Sequence, residues 1–110
     1  MTDEPPSDLT LADVLAAAAE ELPGIVEGED GGARTWSSAG RMFATLAGDR
    51  AEFRLDPLVA GAALRTPDTA PSARGTEWVA FGPAELDDAS IDRAEAWFLS
   101  AHRRVAALGH

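Results

Sequence analysis

Group-transfer or hydrolytic chemistry on a serine or threonine needs an adjacent base and a third group to orient it. The only histidines are His102 and His110, both close to the C-terminus, so no such trio can be assembled around them. There is no cysteine, which excludes a thiolate nucleophile, a disulfide framework and a thiolate metal site. Neither G-x-G-x-x-G nor G-x-x-x-x-G-K-[ST] occurs, and Gly28, Gly31 and Gly32 belong to a hairpin that does not lead into a helix. Asp87-Asp88, directly before a helical pattern, reads as a cap that complements the helix dipole rather than as an acid/base pair. The expectation is a protein that is not an enzyme, with no catalytic residue, no cofactor and no metal centre.

What remains is recognition. Arg34, Arg41 and Arg54 combine with Trp36 and Phe43 into the one constellation with a binding rationale: guanidinium groups neutralise phosphate, and aromatic planes stack on bases or anchor a protein partner. Arg74, from a later loop, joins them as a candidate nucleic-acid-binding residue. Two further readings stay open. The same face suits a protein partner or a homodimer. The acidic residues Glu20, Glu21, Glu27, Glu29 and Asp30 suit weak binding of a divalent cation, or simply form a solvated face. His102, one turn after Phe98, reads as a partly buried helix residue, and Trp97 and Phe98 lie on an apolar stripe that belongs in a core.

The charge is uneven. The chain of 110 residues carries a formal net charge of −10, which argues against a general polyanion binder. Residues 1–33 hold nine acids and no base, residues 34–74 six Arg against four acids, and residues 75–110 three Arg against six acids. This pattern separates an acidic part from a mildly basic one. The N-terminus MTDEPPSDLT has neither the basic start nor the apolar run of a signal peptide, and nothing approaches the ~20 apolar residues of a membrane span. A cytoplasmic protein without a membrane partner is expected.

The elements that must position these residues follow from periodicity. Residues 1–8 read as a disordered leader and residues 9–110 as one domain. Leu11, Val14, Leu15, Ala18 and Leu22 have helical spacing after Thr10 as N-cap, and Pro23-Gly24 stops the run. Strands are expected at 25–29, 33–38, 41–47 and 51–55, separated by the turn signals Asp30-Gly31-Gly32, Ala39-Gly40 and Gly48-Asp49. Counting back from Gly48-Asp49 puts Met42, Ala44 and Leu46 on one face with Leu55, Phe53 and Ala51. Arg41, Phe43 and Thr45 then share the other face with Arg54 and Glu52. Counting across Ala39-Gly40 pairs Trp36 with Phe43 and adds Arg34, Trp36 and Ser38 to that second face. Asp56-Pro57 opens a short helix to about Leu64, residues 66–75 read as a loop, and a strand covers about 76–81. Ile91, Ala94, Trp97, Phe98, Ala101, Val105 and Leu108 make a long amphipathic helix with Asp88 or Ser90 as cap. The sum is an α+β fold, an antiparallel sheet of about five strands with the N- and C-terminal helices packed on one face.

Several words of the sequence carry a likeness. Leu22-Pro23-Gly24 ends the first helix, Gly40-Arg41-Met42-Phe43-Ala44 opens a strand, and Arg54-Leu55-Asp56-Pro57 closes the next. Gly75 with Trp78-Val79, and Ser100 to Val105, continue the series. In this order, over roughly Leu9 to Leu108, the chain resembles the MmcQ/YjbR family, whose fold is related to the frataxin-like (CyaY) one. The resemblance implies DNA as a ligand, with Arg41 and Arg54 in the positions of the family's basic strand residues and no catalytic residue to carry over. The related frataxins hold iron weakly through an acidic first helix and strand, which is what the acidic set here would correspond to.

Overall fold

The computed structural model describes residues 9–108, so the expected leader 1–8 and His110 lie outside the described residues. Along the chain come α1 (Leu11–Glu20), β1 (Ile25–Asp30), β2 (Ala33–Ser38), β3 (Arg41–Ala47) and β4 (Arg50–Arg54). They are followed by α2 (Pro57–Ala63), β5 (Thr69–Pro71), β6 (Trp78–Phe81) and α3 (Asp88–Leu108). The strands form one antiparallel sheet in the order β1-β2-β3-β4-β6-β5. α3 crosses β2, β3 and β4, α1 packs beside α3, and α2 lies against β6. The helices therefore cover one face, and the other carries no helix among the described residues. β5 is a sixth strand inside the segment expected to be loop. Pro71 hid it, yet at the sheet edge the missing proline N–H costs no ladder bond.

Turn chemistry builds the meander from β1 to β4. Gly31 and Gly32 have φ of 61° and 87°, and Ala39 and Gly40 have φ of 54° and 78°. Two consecutive left-handed residues make a type I′ turn, whose twist matches the strands it joins. At the third hairpin only Gly48, with φ of 62°, is left-handed, as a type II′ turn requires. Each turn sets the register that counting predicts nearest to it: Ser38 faces Arg41 and Ser37 faces Met42, while Ala47 faces Arg50, Leu46 faces Ala51 and Ala44 faces Phe53.

Beyond the Ser37–Met42 pair, the β2–β3 register shifts by one residue. A β-bulge between Trp36 and Ser37 absorbs the difference, so Trp36 faces Ala44 and Phe43 is the extra residue. This overturns two expectations. Trp36 and Phe43 turn to the helix side, where both are fully buried, and Met42 turns to the opposite face from Phe53. The physical reason is apolar burial: each of these aromatic rings gains about 1.5–3 kcal/mol by leaving water, and a continuous register leaves both on the uncovered face. In the core, Phe98 of α3 meets Trp36 at 5.5 Å and Phe43 at 5.2 Å edge to face, and Trp97 meets Phe81 at 5.0 Å in the same way. Leu15, Leu55, Val79 and Val105 fill the spaces between them.

The helices begin where their caps dictate. Thr10 and Asp13 form a reciprocal capping box on α1, with the Thr10 hydroxyl accepting from the Asp13 N–H at 3.2 Å. Thr10→Ala is expected to cost about 1 kcal/mol in urea unfolding, with Thr10→Ser restoring most of it. Asp56 accepts from the Leu58 N–H at 3.0 Å ahead of Pro57, as expected for α2. For α3 the capping side chain is Asp87 of the Asp87-Asp88 pair read as a cap, in place of Asp88 or Ser90: its carboxylate takes the Ser90 N–H at 2.9 Å and the Ser90 hydroxyl at 2.8 Å. Those bonds hold the Asp87 carboxyl below its ordinary pKa.

Candidate binding face

The six candidate residues do not share one face. Arg34 and Trp36 lie on the helix side, where the Arg34 guanidinium sits 5.2 Å from the Trp36 ring centroid and pairs with Glu27 of β1. Phe43, also on that side, is wedged between Phe98 and the His102 ring, 5.5 Å away. Arg41 is exposed at the β2–β3 turn opposite Ser38. Only Arg54 and Arg74 belong to the uncovered face. The expected cluster of Arg and aromatic side chains is thus divided by the same bulge that buries Trp36 and Phe43.

The uncovered face is built on Thr45, Glu52 and Arg54, which alternate with buried neighbours along β3 and β4. Beside them lie Trp78 and Ala80, opposite Arg54 and Glu52 in β6. Ala80 is small enough for the Glu52 side chain to reach across it. The Glu52 carboxylate accepts from the Ser72 hydroxyl at 2.7 Å, from Arg74 Nε at 2.7 Å and from the Thr45 hydroxyl at 3.2 Å. Desolvation pushes the Glu52 carboxyl up, but these donors and the Arg74 charge outweigh it, and its pKa falls below the ordinary value. The Arg74 guanidinium lies 5.6 Å from the Trp78 ring centroid, a cation–π contact at the surface.

A second ionic group borders this face. Glu77 accepts from Arg54 Nε at 3.2 Å and from Arg104 of α3 at 3.1 Å, and Arg104 lies 3.8 Å from Asp56. Desolvation of Glu77 is likewise outweighed by its two arginine partners, which lower its pKa. Both arginines of the uncovered face are therefore already matched by a carboxylate. Trp78 and Ser72 were not among the expected site residues. Trp78 lies in the strand expected at about 76–81, whose pairing with β4 the sequence does not specify, and Ser72 lies in the segment read as a loop.

The remaining candidates have structural positions. His102 Nε2 lies 3.2 Å from the Pro23 carbonyl oxygen, so that nitrogen is the donor and the side chain ties α3 to the end of α1. Among the described residues, no group of three or more His, Asp or Glu side chains is arranged to hold a metal ion, so Glu20, Glu21, Glu27, Glu29 and Asp30 do not converge on a cation site. No helix among the described residues is long and apolar enough to cross a membrane. Comparison of the chain with protein families, with curated proteins and with solved structures gives no match.

Proposed function

We propose that the chain is a non-enzymatic binding module of the MmcQ/YjbR type that engages its ligand with the uncovered face of the sheet. The observation that carries this reading is the placement of Arg54, Arg74 and the indole of Trp78, over which Arg74 lies, on one face. Nucleic acid is the ligand class that the resemblance implies: the guanidinium groups suit phosphate, and Trp78 takes the stacking role that the buried Trp36 cannot. His102 bonds to the Pro23 carbonyl rather than to a serine or threonine hydroxyl, in keeping with a non-catalytic module.

A second reading rests on a specific observation. Glu52 and Glu77 neutralise Arg74 and Arg54 in place, which leaves the face close to neutral and suits a protein partner better than phosphate. Fluorescence anisotropy of labelled single- and double-stranded DNA across a salt series separates the two. For DNA, Arg54→Ala and Arg74→Ala each weaken binding to every sequence and lower the salt slope by about one unit. Trp78→Ala costs single strands about 1–3 kcal/mol per stacked base and leaves duplex binding nearly unchanged. If no DNA binds even at low salt, the nucleic-acid reading is dropped and the face belongs to a protein.

A further inference from the structure

We infer that the free edge of β1, with the groove between β1 and α1, is a docking site for an extended basic segment of a partner protein. This edge lies at the opposite end of the sheet from Arg54, Arg74 and Trp78, so the inference stands or falls independently of the proposed function.

β1 is an outer strand of the sheet. The type I′ turn at Gly31-Gly32 makes Asp30 and Ala33 a hydrogen-bonded pair. By alternation, Asp30, Gly28 and Val26 bond to β2, while Ile25, Glu27 and Glu29 turn their N–H and C=O groups outward. That row of donors and acceptors is what an added strand needs.

The side chains on the two sides of this edge are of opposite kinds. On the helix side a groove of about 360 Å³ has an apolar floor of Ala16, Ala19, Leu22 and Ile25, rimmed by Glu20 and by Glu27 with its ion-pair partner Arg34. On the other side Val26 is 67% exposed. A strand added to β1 presents its side chains alternately to these two environments. Alternating Lys and Val fits both: lysine stems lie along the apolar floor with their ammonium groups at the carboxylates, and valines meet Val26.

Charge selects the occupant. Residues 20–30 hold Glu20, Glu21, Glu27, Glu29 and Asp30 and no base. Within the described residues, only Glu27 of these has an ion-pair partner, Arg34. Glu20 and Glu21 close α1, whose last turn contains no basic residue, so they oppose the helix dipole as well as each other. Locally disfavoured charges of this kind are relieved by a cationic partner. A second copy of the chain is disfavoured, because two β1 edges side by side place Glu27 and Glu29 of one against those of the other.

The test uses the 15N-labelled protein with the heptapeptide KVKVKVK, its acidic counterpart EVEVEVE and the non-alternating isomer KKVVVKK. The expected result is slowed hydrogen exchange at the Ile25, Glu27 and Glu29 amides on adding KVKVKVK, with binding at least about tenfold tighter than for either control peptide. Glu29→Pro removes an outward N–H without breaking a bond to β2 and is expected to weaken binding about tenfold. Glu20→Gln and Glu29→Gln act through charge alone and are expected to weaken it about threefold each at low salt. Should Glu29→Pro fail to fold, amide protection in the unaltered protein decides the matter. The inference is overturned if KKVVVKK binds as well as KVKVKVK, if no β1 amide gains protection, if the shifts fall on Thr45, Glu52 and Trp78, or if β1 pairs two copies of the chain.

Discussion

Trp36→Ala is expected to lower the free energy of unfolding by about 3–5 kcal/mol, measured by urea denaturation followed in the far-ultraviolet circular dichroism. Trp36 has no exposed surface and meets Phe98 edge to face, with Ala44 and Phe53 on the neighbouring strands. Truncation removes the transfer energy of the indole and leaves a cavity that the flanking rings cannot fill. Trp36→Phe is expected to cost much less. Phe keeps most of the packing on Phe98 and deletes an indole N–H that finds no acceptor in its buried position. An effect of Trp36→Ala within about 0.5 kcal/mol, the usual size for a surface change, contradicts the bulge and returns Trp36 to the outer face.

That bulge also marks how far the sequence was legible. Turn residues and alternation identify the fold class, β1 to β4 and the pairing on either side of each turn, because tight turns act locally and leave strong residue preferences. Inside the β2–β3 pair, no local signal marks Phe43 as the extra residue of a bulge. The deciding quantity is the burial of Trp36 and Phe43 under α3, a contact between residues far apart in the chain. Burial energetics point the same way: a face without helices leaves two of the largest apolar side chains of the central strands in water. For the candidate site, Arg54, Glu52 and Thr45 were placed correctly on a common face, whereas Trp78 and Ser72 required knowing that β5 and β6 extend it. Ion-pair partners were not legible either, since Arg54 pairs with Glu77 across the strand order and not with its near neighbour Glu52.

Glu52→Ala is expected to destabilise the fold by about 1–3 kcal/mol, through the donors it leaves without an acceptor. Thr45 and Ser72 have only 2% and 8% of their surface exposed, so water replaces the lost carboxylate poorly. The same carboxylate sets an acid limb in stability. Its folded pKa lies below its unfolded value, so its contribution is fully present above the ordinary glutamate pKa of about 4.3 and is lost as pH falls through the folded value. Glu77 acts in the same direction. Unfolding midpoints recorded from neutral pH into acid should fall in the unaltered protein and fall less in Glu52→Gln, with Glu52→Gln/Glu77→Gln flatter still. Equal slopes in all three exclude these carboxylates as the source of acid sensitivity.

The three tight turns also govern the order in which the sheet can assemble. β1 to β4 are joined by two-residue connections, so each pairing closes a minimal loop and loses little chain entropy. β6 is different: it must find β4 across the intervening α2 and β5, and α3 must then return from the far end of the chain to cover Trp36 and Phe43. The meander can zip early, but its two aromatic residues stay wet until that helix docks. The long-range closure by α3 and β6 is expected to limit the folding rate, so that in stopped-flow refolding substitutions at Phe98 slow folding more than substitutions in the hairpin turns.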